Sequence, residues 1–443
     1  MFYVIFFLAI ALSTLYVEIR SLVWYLLYFI PISLMCVFLC LGSEISFFHA
    51  HYYPLSVDFV SFMLIHISVV VCFFSLLSGF SHVNQNMSSY SFLYFVIMVI
   101  LFLFFSVDSI LSFFILYEFI LVPMVILIGV WGSQSERIVA NYYMFLYTLL
   151  GSIPLMMFSI YSTYSDSGKF TMLLGEEMLP KVSNLMGLLL IVAFCCKLPI
   201  YTLHSWLPKA HVEAPVGGSM VLAGLLLKMG GYGLLRFFLF TSVDYNYVFF
   251  IFMLVILMGS YLPVAMCSRA VDVKSFIAFS SISHMCVALL GLMCYGMYGV
   301  VGALVLFIGH GIVSPLMFFL ANVIYEKVKS RSMMGISSID KLSKTLLWVF
   351  LFVIVINMGL PPFLNFFGEL GCYVSVVNFN FFFLIFLFMS MVFTGVVMFY
   401  YISKVMKGAS GSFITFEFIY QEYQIFILMF YLIGYYSFML CLF

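Results

Sequence analysis

"IVAFCCKLPIYTLHSWLPKAHVEAP", residues 191–215, opens as a lipid-soluble helix and then carries Lys197 in its middle with Pro199 two residues on. An ionised side chain at the bilayer centre costs about 2.5–3.5 kcal/mol on insertion scales. Pro199 has no N–H for the carbonyl of Cys195, and it disfavours helix at Leu198. The span should therefore break beside Lys197. Irregular backbone at that depth persists only where protein buries it or where it lines a wet cavity. A cation beside a broken helix thus implies a many-helix membrane protein built around an internal polar site.

The whole chain agrees with that class. Of its 443 residues 66% are hydrophobic and only 8% charged, against roughly 25% charged in soluble domains. Apolar runs of about 20 residues, enough to cross roughly 30 Å of hydrocarbon as helix, recur from end to end. They give about 14 spans, near 1–17, 21–41, 59–80, 90–107, 109–131, 142–162, 184–208, 218–240, 247–267, 273–294, 297–324, 345–377, 380–402 and 418–441. The short alternating segments of a membrane barrel are not the pattern. The twelfth run is too long for one straight crossing and holds Pro361 and Pro362 near its middle. The first run starts at Met1 without a basic region ahead of it, which argues against a removable signal or transit peptide. Abundant Phe, 55 residues, suits a thymine-rich organellar gene.

Charge excludes some functions and orients the chain. Formal net charge is zero, and the cations are too sparse for a phosphate-binding surface, so no nucleic-acid partner is expected. The ten cysteines fall mostly within apolar runs without a CxxC pair, which reads as small core residues rather than a cluster or metal site. Connections after odd-numbered spans hold Arg20, Arg137, Lys209, Arg269, Lys274, Lys327, Lys329, Arg331, Lys341, Lys344, Lys404 and Lys407. Those after even-numbered spans hold only Lys169, Lys181 and Arg236. The basic side is the inside, and both termini lie outside.

Four ionisable groups remain within spans: Glu118, Lys197, Lys228 and Glu369, with His66, His284 and His310 also in apolar runs. At such depth the charges must face one another or water. A Glu and a Lys about 7 Å apart at an effective dielectric of about 20 attract by roughly 2.4 kcal/mol. Moving one charge across 100 mV takes about 2.3 kcal/mol. Making or breaking one such pair is therefore on the scale of moving a proton against a membrane potential. The alternative is a neutralised pair that only locks helices together. Pro361 and Pro362 should break the twelfth span as Pro199 breaks the seventh, and paired broken helices with ionisable groups mark inverted-repeat transporters. A plain proline kink is the other reading. Gly230, Gly231 and Gly233 after Lys228 allow a neighbour close to the backbone, either to serve the lysine or as a packing seam. His284 and His310 could relay protons or be hydrogen-bonded core residues. His204, His211 and Glu213 match no metal spacing, and both histidines are expected near an aqueous end.

"YEFILVPMVILIGVWGSQSERIVANYYMFLYTLLGSIPLM", "KLPIYTLHSWLPKAHVEAPVGGSMVLAGLLLKMGGYGLLR", "RAVDVKSFIAFSSISHM" and "HGIVSPLMFFLANVIYEKVKSRSM" resemble the antiporter-like membrane subunits of mitochondrial NADH:ubiquinone oxidoreductase, respiratory complex I. The likeness runs from about Phe92 to Gly371, roughly two thirds of the chain, and is most specific in the segment from Lys197 to Arg236. It implies an all-α polytopic membrane fold of about 14 helices, with two inverted five-helix repeats, helices 4–8 and 9–13, and discontinuous helices 7 and 12. Residues 1–89 then hold helices 1–3, 90–240 the first repeat, 241–404 the second and 405–443 helix 14. The same resemblance puts proton transfer on Glu118, Lys197, Lys228 and Glu369, with His284 and His310 as a possible relay. It implies a mitochondrial inner-membrane location with both termini on the intermembrane-space side. Its partners would be the lipid bilayer and other complex I subunits, especially neighbouring antiporter-like ones. No cofactor is implied on this chain; flavin, iron–sulfur clusters and quinone belong to other subunits, which would couple redox chemistry to it. The long lateral helix of the largest antiporter-like subunit is not expected after the fourteenth span. A subunit of a cation/proton antiporter would use the same fold and nearly the same charges. A purely structural scaffold predicts that neutralising Glu118 or Lys197 leaves activity intact.

Overall fold

The computed structural model describes residues 50–52, 55–80, 87–164, 184–238, 247–294, 296–333, 335–336, 344–406 and 420–441. The first two predicted spans lie outside the described residues. Each of the other twelve falls on one helix or on a broken pair. In chain order these are α1 (Phe59–Phe80), α2 (Met87–Ser106), α3 (Ile110–Phe119), α4 (Leu121–Trp131), α5 (Arg137–Tyr164), α6 (Asn184–Lys197) and α7 (Trp206–Glu213). There follow α8 (Val216–Val221), a π turn (Leu222–Leu226), α9 (Leu227–Phe238), α10 (Tyr247–Arg269), α11 (Val273–Met293) and α12 (Met297–Val328). The chain ends with α13 (Lys344–Asn357), α14 (Leu364–Phe379), α15 (Phe383–Met406) and α16 (Tyr420–Cys441). Among the described residues nine helical stretches are long and apolar enough to cross a membrane. Among the described residues the strands are those of a hairpin of two three-residue strands, β1 (Ala50–Tyr52) and β2 (Leu55–Val57), with Ala50 opposite Val57.

Burial sorts the spans into layers. Over an 18-residue apolar segment of each, Val216–Phe237 is wholly buried, Val273–Met293 is 94% buried and Met297–Val328 89%, whereas Phe383–Met406 is only 28% buried. Helices α8–α9, α11 and α12 are therefore the core of the bundle, and α15 is peripheral. Three of the expected ionisable residues, Lys228, His284 and His310, lie on these core spans, where protein rather than lipid surrounds them. A helix that is apolar all round is what this position requires.

The cation-rich connections meet at one end of the bundle. Arg331 Nη2 donates to Ser133 Oγ at 2.6 Å, and Ser133 N–H donates to Glu213 O at 3.3 Å. Lys274 Nζ donates to Ala214 O at 2.8 Å and to Val212 O at 3.3 Å, where α7 leaves its last carbonyls without helical partners. An isolated bridge joins Asp272 to Ser332. The connections after the fifth, seventh, ninth and eleventh spans are thus stitched together, as alternating crossings demand.

Candidate functional site

Glu118, Lys197, Lys228 and Glu369 each lie beside an irregularity in helical backbone, whereas His284 is on the continuous helix α11. The seventh span does break at Lys197, the last residue of α6, and helix resumes only at Trp206. The interruption is wider than one proline explains. Leu198 N–H still bonds Phe194 O at 2.8 Å, Leu203 N–H turns back on Ile200 O at 2.8 Å, and the Trp206 indole N–H donates to Cys196 O at 3.0 Å. That indole satisfies a carbonyl which a continued helix would have used.

Lys197 reaches the fifth span. Its ammonium donates to Tyr117 O, stands 3.2 Å from the centre of the Tyr117 ring and lies 3.9 Å from Glu118 Oε1. Lys197 and Glu118 are thus brought together as a buried pair, with side-chain exposures of 2% and 16%. The fifth span is itself divided at Ile120, between α3 and α4. Pro123 has no N–H for Phe119 O, which loosens the helix one residue after Glu118. Tyr117 was not among the expected site residues; Pro123, six residues after it, was the available signal.

Lys228 lies just past the π turn and folds back on it, donating to Ala223 O at 2.5 Å. A π turn widens the backbone by one residue and commonly marks a functional position. Gly224 permits it here: a Cβ would lie 2.9 Å from both Pro315 Cγ of α12 and Val71 Cγ1 of α1. Pro315 in turn has no N–H for Gly311 O, next to His310. The later glycines form a packing seam, since side chains on Gly231 and Gly233 would run into the rings of Phe307 and Phe194.

The twelfth span breaks between Asn357 and Leu364, with Gly359 at φ +68° and a cis peptide between Pro361 and Pro362. Glycine is needed at 359, because the left-handed region penalises a side chain. A Cβ there would also stand 3.3 Å from Glu369 Oε2, so the turn lies directly against the carboxylate. Glu369 Oε1 is 2.8 Å from His284 Nδ1. The His284 and His310 rings are 5.4 Å apart between centres, and His310 is within electrostatic reach of Lys228. The four groups follow one another in the order Lys228, His310, His284, Glu369, with the last two hydrogen-bonded and neither His310 ring nitrogen partnered among the described residues. Glu118 and Lys197 form a second group. Among the described residues no side-chain contact joins Lys197 to Lys228.

His211, expected near an aqueous end, is on α7 close to the cation-rich connections but is not exposed there. It is fully buried, its ring stacked on Phe318 with centres 4.5 Å apart, and neither ring nitrogen has a hydrogen-bond partner. It lies within electrostatic reach of Lys228 and Lys274. The Phe318 ring of α12 covers it, a partner that residue spacing within one span could not reveal. Above it, at the cation-rich end, a cavity of about 280 Å³ is lined by Tyr90, Trp131, Asp272, Lys274, Asn322 and Arg331. Elsewhere, His66 meets the Tyr436 hydroxyl and the described cysteines are buried and unbridged.

A family model described as NADH:quinone oxidoreductase/Mrp antiporter, TM, matches residues 107–394. The chain belongs to that family. NADH-ubiquinone oxidoreductase chain 4 of Rhipicephalus sanguineus is 37% identical over 71% of this chain and 71% of that one. The protein of the same name from Ceratitis capitata is 38% identical over 80% of this chain and 79% of its own. In three dimensions the chain superposes on one from respiratory complex I of Thermus thermophilus with a TM-score of 0.83, at 20% identity and covering 96% and 92% of the two. The family match contains the three interrupted spans, the π turn and all six expected site residues.

Proposed function

We propose that this chain is a proton-translocating subunit in the membrane arm of a NADH:ubiquinone oxidoreductase of the mitochondrial inner membrane. Residues 90–240 and 241–404 are its two inverted repeats. Protons pass through the Glu118–Lys197 group and the series Lys228, His310, His284, Glu369, and leave by way of Glu369. Both termini face the intermembrane space. NADH oxidation and quinone reduction take place on other subunits, with their flavin and iron–sulfur clusters, and reach this chain by coupling through its neighbours. Curated relatives at 37% and 38% identity favour this reading over a cation/proton antiporter.

The observation that carries the proposal is the pairing of buried ionisable groups with interrupted backbone. Taken as structure alone these residues are unfavourable, since buried ion pairs are often no better than apolar packing. As conductors they are well matched. Glu118 and Lys197, at 3.9 Å, attract by about 4 kcal/mol at an effective dielectric of about 20. Solvent at the partly exposed Glu118 screens about half of that, which leaves roughly 2 kcal/mol, on the scale of the roughly 2.3 kcal/mol for one charge crossing 100 mV. The test is Lys197→Met in the assembled complex, measuring proton ejection alongside NADH:ubiquinone activity. Both are expected to fall together; wild-type pumping would refute the reading.

A further inference from the structure

Helix α9 carries Lys228, Tyr232 and Arg236 at four-residue intervals, which places them on one face. Tyr232 and Arg236 are both buried. The Tyr232 hydroxyl donates to Phe105 O at 3.1 Å, and the Arg236 guanidinium stands 4.8 Å from the Tyr232 ring. Beyond it, Arg236 Nη1 donates to Asp58 Oδ2 at 2.5 Å. Asp58 is anchored at the head of α1, where its N–H and carbonyl both bond the Ser61 hydroxyl, at 2.7 and 2.8 Å. Asp108, between α2 and α3, also acts electrostatically on Tyr232. These groups lie at the end of the bundle opposite the cation-rich connections, where Arg236 is one of few cations.

Resting on the proposed proton path, we infer that Tyr232 and the Arg236–Asp58 pair form an outward seal on the first half of the chain. A proton displaced from Lys228 has a hydroxyl one turn away, and Tyr232 can both donate and accept. The next group along the face cannot: a guanidinium has no acceptor and keeps its proton. A fixed arginine charge is also an established way to exclude protons and cations from a pore. Asp58 holds the guanidinium in register through their ion pair. The direct outward route from Lys228 is thereby closed, and the proton is left to move sideways to His310, His284 and Glu369.

Arg236→His tests this, because it puts a group that can exchange protons where the seal stands. The assembled complex is reconstituted in liposomes without NADH, a pH gradient is imposed, and proton flux is followed with a trapped pH-sensitive dye. Arg236→His should raise idle proton flux about tenfold, equivalent to about 1.4 kcal/mol of barrier. Arg236→Lys, which keeps the charge but can release its proton as Lys228 does, should leak between wild type and Arg236→His. Adding Lys228→Met to Arg236→His should abolish the leak. Asp58→Asn, which removes the guanidinium's countercharge without changing side-chain size, should leak less than Arg236→His but measurably, and decides the matter if Arg236→His does not assemble. Tight liposomes with the leading variants, or a leak indifferent to Lys228→Met, would overturn the seal. A tight Arg236→His complex beside a non-pumping Lys197→Met complex refutes the seal alone, whereas a pumping Lys197→Met complex refutes the path on which it rests.

Discussion

Glu118→Gln removes a charge from the Lys197 group while keeping shape. The ammonium lies 3.9 Å from Glu118 Oε1, worth about 4 kcal/mol at an effective dielectric of about 20. Glu118 is 16% exposed while Lys197 is 2% exposed, so solvent screens part of the attraction and about half, roughly 2 kcal/mol, is the working figure. Lys197 does not lose its place. The Tyr117 carbonyl still accepts from it, and the ring 3.2 Å below holds a desolvated cation by up to about 2 kcal/mol. The variant should therefore assemble normally and lose only the countercharge. A 2 kcal/mol rise in the barrier to moving charge through Lys197 slows that step about 30-fold. Proton ejection and NADH-driven quinone reduction, measured on the same membranes at matched complex content, should fall together. Glu118→Asp, which keeps the charge at shorter reach, should fall between. Pumping within twofold of wild type in an assembled Glu118→Gln complex would refute the argument.

Two further substitutions test the backbone. Pro199→Ala favours helix by about 3 kcal/mol, yet the break extends from Leu198 to Ser205 and the Trp206 indole caps Cys196 O. Pro199→Ala alone should leave the break in place and pumping nearly unchanged, whereas Trp206→Phe, which orphans that carbonyl at about 1–3 kcal/mol, should lower thermal stability of the solubilised complex and impair proton transfer. A continuous helix in Pro199→Ala, seen by cryo-EM, would contradict this. Gly224→Val places a branched side chain against Pro315 and Val71 and should cost about 1–3 kcal/mol by overpacking. Native gels should show reduced assembled complex, and wild-type amounts with wild-type melting would show that the π turn can give way.

Much of the site was legible because two local rules coincided. A charge in an apolar run and a proline within a few residues of it located Lys197 and Glu369 with their broken helices. The span boundaries followed from hydropathy, since lipid requires nearly continuous apolar helix. Other features depended on partners distant in sequence. Arg236 read as one more loop cation until its pair with Asp58, 178 positions away, was seen. His211 looked solvated because its own segment is polar, while its burial comes from Phe318 on another span. The π turn has no proline to announce it. It depends on Gly224 meeting Pro315, a match between two helices. The hairpin at residues 50–57 lies in a short polar connection where no apolar pattern called for structure.

The backbone interruptions also set limits on how this chain can be made more robust. Ordinary stabilisation would replace prolines within helices by good helix formers, fill glycine positions and exchange buried charges for apolar side chains. Here each of those changes falls on Pro123, Pro199, Gly224, Pro315 or Gly359, or on the ionisable groups beside them. Straight, fully bonded helices would withdraw the carbonyls of Tyr117 and Ala223 from Lys197 and Lys228. On the proposed proton path, a version of this chain optimised for thermal endurance would become an insulator.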